Sequence, residues 1–554
     1  MTPLAQGAAG LAVALGFALL STRRTGGLAI LCVAQAVVVA LAALAQGEFA
    51  VALVACAEAA LVGWLGTRIL PLPLWVRSAA RPNHPGAGAS VPYSPPAAGG
   101  IWLLGAGAVL AGLAATIPGT GLALAVVLLG LLLLAARPLP SHQALGIAAV
   151  QNGLVLAGIA AGLSNGRLAL VVLPWLPALA LGALWLGSDR ARTAWLQAPR
   201  PAGWIDTALC GLALVLAAAL PWQLGAHGPF WRLDPLAVHV VLLLAALATA
   251  ASWTQRNASP VWGSRLAILA GTALAVLSTD PLPRWLGMTV ATIGVAAAAL
   301  PARAEAWRRL RLGCTGLGLA LFGTIALYAA ALPQPASAIA LHPAPALLPA
   351  SVCIMLGYGT LAVLAPELTV AAVALILRMR GAPADDLLLA LGLAAMLVAT
   401  LGLATARGPQ RRTLPLVGLA QGGAAVFAFG LGSESGNLAG LLQLSFLALT
   451  QCALLLAREN GLDRLAARAG LAGLPPFGLF PSLALILVAT AERLPWLLLP
   501  LGAGLAAVAW AVLLQLPAGH RLRLSPAWLP LALLLIAGFA MPDPLLAWFR
   551  LAAR

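Results

Sequence analysis

Apolar runs of about 20 residues recur along this chain, and they limit its possible folds more than any other feature. GLALAVVLLGLLLLAA at 121–136 and LLLALGLAAMLVATLGLA at 387–404 carry no charge at all. At 1.5 Å per residue, about 20 residues span the roughly 30 Å of bilayer hydrocarbon. Hydrocarbon offers no partners to open backbone groups, so a spanning segment must be a helix or part of a closed barrel. The runs are continuous rather than alternating, which excludes a barrel. Only 8% of the residues are charged, against roughly 25% in soluble domains, too few to cover a water-facing surface. The expected fold is an all-α polytopic membrane protein with about 18–20 transmembrane helices.

The formal net charge is +16. Arginines in short loops set membrane topology, so this excess calls for no nucleic-acid partner. All 31 basic residues are arginine, and lysine is absent. Lysine is the cation whose pKa shifts readily on burial, so any proton relay here must use other groups. Cys32, Cys56, Cys210, Cys314, Cys353 and Cys452 are scattered, with no CxxC pair, a pattern of packed thiols rather than a metal or iron–sulfur centre. No Gly-rich phosphate loop and no Ser/His/Asp grouping occurs, so no catalytic residue and no cofactor is expected. The first apolar run lacks the basic lead-in and cleavage site of a removable signal.

Arginines divide the first 200 residues. Candidate spans lie near 3–20, 26–45, 50–70, 100–117, 120–136, 143–163 and 168–187. Arg23 and Arg24, then Arg68, Arg77 and Arg81, then Arg137, then Arg190, Arg192 and Arg200 follow alternate spans, with Arg167 the exception. Seven spans with an outside N-terminus satisfy the positive-inside rule. RPNHPGAGASVPYSPP at 81–96 reads as a flexible cytoplasmic excursion, and its His84 has no partner nearby. Residues 1–187 thus form one membrane module, 188–205 a cytoplasmic linker and 206–554 a second module. In the second module, spans are expected near 206–224, 234–253, 262–279, 285–301, 312–332, 387–405, 413–431, 437–456, 470–490, 495–517 and 526–547. Arg303, Arg308, Arg309 and Arg311 would be cytoplasmic, as would Arg407, Arg411 and Arg412, Arg458, Arg464 and Arg468, and Arg521 and Arg523.

The segment 347–378 contains GYGTLAVLAPEL. As one helix it would be roughly 48 Å long, too long for one span and too short for two. Charge parity requires it to cross twice, or to cross and return. Gly357, Gly359 and Pro366 are the expected breaks in a discontinuous helix, and Pro475 and Pro476 mark another break.

Ionisable residues within spans are functional candidates by default. Glu58 lies mid-span in VACAEAALVG, with Glu48 at a span end. His239 follows Asp234 in LDPLAVHVVLLL. Glu305 precedes an arginine cluster, and Glu367 adjoins the expected break. Each has a plainer reading: a hydrogen-bonded carboxyl for Glu58, a packed neutral imidazole for His239 and an ion-paired helix end for Glu305. Trp204, Trp231 and Trp548 read as interface anchors.

Several phrases resemble the antiporter-like membrane subunits of complex I and hydrogenase-4-type complexes. GLPPFGLFPSLALIL at 473–487 resembles the Gly-Leu-Pro-Pro-Phe signature of the component F type, and GYGTLAVLAP the same family's broken-helix motif. RRTLPLVGLAQGG at 411–423, LLQLSFLALTQCALLL at 441–456 and EAWRRLRLGCTGLGLALFGTIALYAAA at 305–331 resemble further helices of that family. GIAAVQNGLVLAGIAAGL at 146–163 resembles the small component E type. The resemblance implies a fusion of E-like and F-like subunits, with other membrane and soluble subunits as partners in a bacterial cytoplasmic membrane.

The family's transport groups are replaced. Leu361 stands where the lysine follows Gly-Tyr-Gly-Thr, and Glu367–Leu368 follow Pro366. Gln443, Phe446, Leu447 and Gln451 take the places of His, Asn, His and Lys. Leu483 follows the Pro-Pro-Phe motif where an ionisable residue is expected. Leu416, Val417 and Gly418 occupy the Tyr-Ser-Ser helix, and Gln151 stands where relatives often have Glu. The resemblance therefore implies a membrane-arm subunit acting as a structural adaptor with a degenerate proton channel. The alternative is a proton- or Na⁺-translocating subunit using carboxylates and water, with a path through Glu58, His239, Glu305, Glu367, Gln443 and Gln451.

Overall fold

The computed structural model describes residues 2–22, 25–49, 98–115, 120–137, 140–162, 204–228, 231–255, 263–299, 303–331, 348–378, 384–405, 413–458, 461–513, 525–539 and 541–553, with scattered positions in 51–62 and at 117. The described residues are helical, without a strand. Nine of their helices are long and apolar enough to cross a membrane, and six more apolar helices are shorter. The chain is a multi-pass integral membrane protein. Glu58, His84, the 168–187 span and most of the 188–205 linker lie outside the described residues. The chain divides into two compact units: Met1–Ala198 with Tyr328–Ala330, and Pro199–Leu327 with Ala331–Arg554.

The first unit contains α1 (Pro3–Ser21), α2 (Thr25–Ala45), α3 (Ala98–Ala115), α4 (Gly121–Ala136) and α5 (Pro140–Ala160). Thr2 caps α1, its hydroxyl accepting from the Ala5 N–H, and Pro3 occupies the first turn, where no donor is needed. Leu19, Leu28, Cys32, Leu129 and Leu133 form the core between α1, α2 and α4. Arg137 donates to the carbonyls of Leu20 and Thr22 at 2.7 and 2.9 Å, satisfying the open end of α1. In the unit's interior, Gln35 Nε2 donates to Ala12 O at 2.9 Å and Asn152 Nδ2 to Gln35 Oε1 at 3.3 Å. Beside Asn152, both amide atoms of Gln151 are buried without a partner.

The second unit contains α6 (Trp204–Ala219), α7 (Pro235–Gln255), α8 (Ser264–Leu277), α9 (Pro281–Ala298), α10 (Arg303–Ala331), α11 (Leu348–Leu361), α12 (Pro366–Leu377), α13 (Ala384–Thr405), α14 (Thr413–Gly430), α15 (Glu434–Leu456), α16 (Leu462–Leu471), α17 (Leu479–Arg493), α18 (Leu498–Leu513), α19 (Trp528–Phe539) and α20 (Asp543–Ala553). Small residues let these helices approach closely, as membrane interfaces require. A Cβ on Gly271 would lie 2.5 Å from Gly287 O, and one on Gly357 2.5 Å from Gly316 O.

These contacts fix the direction of each helix and revise the reading of 347–378. Gly271 faces Gly287 while Gly294 faces Ser264 and Ile268, so α8 and α9 are antiparallel. Trp285 Nε1 donates to Leu317 O and Thr292 abuts Gly313, so α10 opposes α9 and runs with α8. Gly323 abuts Ala350 and Ile354, whereas Gly316 abuts Gly357 and Thr360, so α11 opposes α10. At its start α12 carries Glu367 to Arg265 in the first turn of α8, and at its end it carries Arg378 to Asp234, beside the last turn of α8. The chain therefore reverses at 362–365, and α11 and α12 form a hairpin rather than one discontinuous helix.

Gly357 and Gly359 do not break the helix, because α11 runs through both to Leu361. Gly357 is instead a close-packing position, and Pro366 is the first residue of α12, where its missing N–H costs nothing. Other boundaries shift too. The expected span at 526–547 is two helices meeting at 89°, with Pro542 just before α20. The span at 470–490 is α17 alone. It is preceded by the in-turn Pro475–Pro476 pair and by α16, whose Arg464 and Arg468 oppose an apolar face. The helix expected at 312–332 begins at Arg303, which places Glu305 in its first turn.

Candidate functional site

Buried polar side chains of the second unit gather into separate groups on α7, α8, α12, α14 and α15. In the first, Arg265 Nη1 lies 3.3 Å from Glu367 Oε1, with the two side chains 14% and 2% exposed. Glu367 sits in the first turn of α12, where the helix dipole favours a negative charge. Its second oxygen is buried without a partner. Asp206, in the first turn of α6, accepts from the Gly263 N–H through both oxygens at 3.2 and 3.3 Å, and so anchors the turn that presents Arg265.

A second group lies at mid-helix. Gln443 Nε2 donates to Gln421 Oε1 at 2.7 Å, Gln421 Nε2 donates to Leu471 O at 3.1 Å, and Ser482 Oγ donates to Gln443 Oε1 at 2.6 Å. All three side chains are buried. The chain of bonds joins α14, α15 and α17 and ends on the backbone at the C-terminus of α16. An amide cannot ionise at ordinary pH, so this network orders the helices but holds no transferable charge. Eight residues further along α15, Gln451 leaves Oε1 buried and without a partner.

His239, on α7, occupies a third place, against the face of α15 that carries Ser445. Trp548 Nε1 donates to His239 Nδ1 at 3.2 Å. An indole N–H can only donate, so Nδ1 accepts and the ring hydrogen sits on Nε2. That nitrogen lies 2.7 Å from Ser445 Oγ, whose own hydrogen goes to Leu441 O at 2.7 Å. The Phe549 ring meets the imidazole edge-on at 5.1 Å. Every hydrogen-bonding position of His239 is occupied, and a second ring proton would meet the indole donor head-on. Trp548, expected at an interface, instead ties α20 to α7.

Glu305 is elsewhere. It forms a half-exposed fork with Arg308 and Arg309 at 2.7–2.8 Å, an ordinary helix-end pair. Leu361, at the lysine position of the resemblance, is fully buried, and a Cβ on Gly316 would lie 2.9 Å from its Cδ2. Phe446 covers Gly478 in the Pro-Pro-Phe turn. The structure thus brings Gln443 together with Gln421 and Ser482, and His239 with Ser445 and Trp548. Glu305 joins neither group. Sequence reasoning missed Arg265, Asp206, Gln421, Ser482 and Ser445. An arginine among the first residues of an apolar span, as in GSRLAILAG, was the signal for Arg265; isolated Ser and Gln in a helix give none.

The architecture is that of a polytopic helical membrane protein with polar groups buried between its helices. Comparison with known proteins narrows that class. No family model matches the chain. It is 27% identical over 448 residues to a protein named hydrogenase-4 component F homolog from Methylacidiphilum infernorum (isolate V4), an alignment that covers 63% of this chain and 94% of that one. Among solved structures, a chain of the Mrp complex from Dietzia sp. DQ12-45-1b superposes with a TM-score of 0.53 at 16% identity, over 70% of this chain and 97% of its own. A chain of the membrane-bound sulfane sulfur reductase, an archaeal respiratory membrane complex, gives 0.52 at 16% identity, over 70% and 97%. In fold and sequence the chain is similar to the antiporter-like membrane subunits of hydrogenase-4 and related complexes.

Proposed function

We propose that the chain is a membrane-arm subunit of a hydrogenase-4-like or complex I-like respiratory assembly in a bacterial cytoplasmic membrane, and that it works as a structural adaptor whose antiporter-type channel no longer conducts. Residues 1–187 would be the component E-like module, 188–205 the linker and 206–554 the component F-like module. Electron transfer would belong to soluble partner subunits.

One observation carries this reading. In a chain without lysine, the mid-helix position is an amide network with every bond spent inside the protein. A proton path needs groups that gain and lose a proton within reach of one another. Gln421, Gln443 and Ser482 offer none, and His239 is held by donors and acceptors that already complete its ring.

Affinity purification from native membranes in mild detergent tests the assignment. Co-purification of hydrogenase-like or complex I-like subunits is expected, and recovery of the chain alone overturns it. The partner-less Oε2 of Glu367 favours a second reading, in which this carboxylate takes up a proton or Na⁺ during transport. Flux in proteoliposomes of the assembly separates the two. The adaptor reading expects the same flux from Glu367→Gln as from the unaltered assembly, and loss of flux in a variant that still folds and assembles favours transport through Glu367.

A further inference from the structure

A cavity of about 260 Å3 lies between the α11–α12 hairpin and helices α13 and α14, apart from all the polar groups above. We propose that it holds one acyl chain of a bilayer phospholipid as a resident part of the folded protein.

The lining sets the chemistry of the occupant. Leu356, Gly359, Val373, Ala394, Val398 and Gly422 are among the residues that form it, and no polar atom faces the space. Its two hydroxyls are turned away: Thr360 Oγ1 donates to Gly357 O at 2.8 Å, and Thr369 Oγ1 donates to Ala362 O at 2.6 Å. Both therefore show only carbon to the cavity. A head group, a polar ring or an ion would be desolvated there with nothing to bond. Hydrocarbon meets no such penalty.

Size and position narrow the occupant further. A flexible chain one methylene wide can enter such a space. Leu356 and Val398 line the cavity yet remain 45% and 58% exposed, and Leu397 and Leu401 continue the exposed apolar face along α13. The mouth of the cavity thus opens sideways from a membrane-spanning helix, where acyl chains are the surrounding solvent. Gly359 finds its purpose here. A Cβ at that position would meet nothing within 4 Å, so the glycine keeps open a space that any larger residue would begin to fill. Close packing is the rule in protein interiors, and a resident chain restores the contacts that the four elements otherwise lack.

The test uses the full chain with its native partners, reconstituted in nanodiscs of phosphatidylglycerol bearing a diazirine in one acyl chain. After illumination and peptide mapping, labelling of α11–α14 cavity residues should exceed that of Leu212 and Val215, on the exposed face of α6, several-fold. Gly359→Leu and Ala394→Leu, which place side chains in the cavity, should each remove the excess. Labelling equal to that of α6 means a belt of bulk lipid only and overturns the proposal. So does an excess that persists in a folded filling variant, or the absence of cavity label because a partner subunit seals the mouth. If neither variant folds, the excess over α6 in the unaltered chain decides.

Discussion

Removing Arg265 should destabilise the second unit far more than removing both members of its ion pair. The guanidinium lies 3.3 Å from Glu367 Oε1, with Glu367 buried and Arg265 largely so. With an effective dielectric of 20, the attraction at that distance is about 5 kcal/mol, largely offset in the intact protein by the desolvation of two charges. Arg265→Met keeps the volume but leaves Glu367 buried without its cation. The expected loss is about 3–5 kcal/mol. Glu367→Met alone strands the arginine, whose longer side chain is the more exposed of the two, so the loss should fall at the lower end of that range. The double variant should return to within about 1 kcal/mol of the parent or exceed it, because well-packed apolar side chains often match a buried pair. The assay is a double-mutant cycle on denaturant unfolding in detergent micelles, followed by tryptophan fluorescence. A coupling energy below about 0.5 kcal/mol would refute the reasoning, since residues that do not interact add within that margin. It would mean that the two side chains are solvated separately and that Glu367 does not depend on Arg265.

Three further outcomes are expected. Gly357→Val should destabilise by at least about 1–3 kcal/mol through overpacking against the α10 backbone, whereas Gly359→Ala should be nearly silent; comparing their thermal melts checks the hairpin packing. Gln443→Leu should cost about 1–3 kcal/mol by leaving Gln421 Oε1 buried and unbonded, with no change in ion flux of the assembly, and a drop in flux would count against the adaptor reading. Trp548→Phe should remove the indole donor to His239, destabilise by about 1 kcal/mol and speed proteolysis within α20, which limited digestion with mass spectrometry can read.

The membrane-spanning character, most span positions and the family resemblance were legible because they rest on hydrophobic run length and on local phrases such as GLPPFG. The hairpin at 362–365 was not legible in the same way. Two helices of 14 and 12 residues separated by four look like one long apolar run, and their reversal is settled by Arg265 and Asp234, residues 102 and 144 positions away from their partners. Charge parity left a double crossing and a return both open, and the glycines pulled the expected break to the wrong place. A glycine in a membrane helix serves close approach at least as readily as bending, and no spacing rule separates the two uses. The site divides in the same manner. Gln443 could be singled out from its place in the resemblance, while its partners Gln421 and Ser482 come from α14 and α17 and share no local pattern with it.

Under the proposed reading, the replacements at positions where the resembled subunits carry charge are not independent of one another. A buried lysine among uncharged neighbours is unstable unless something pairs with it, so removing one member of a mid-membrane chain strands the others. Glutamine at 443 is a consistent solution because its carbonyl and amine serve Ser482 and Gln421 at once, and the run of bonds ends on a carbonyl that α16 leaves open. Leucine at 361 is consistent for the opposite reason: it is fully buried and packs its side chain against Gly316, a role that needs no polar partner. The ion pairs Arg265–Glu367 and Arg378–Asp234 stand at the two ends of α12 rather than at its middle. Charges so placed hold the returning arm of the hairpin at both membrane faces. That distribution fits the adaptor role proposed above.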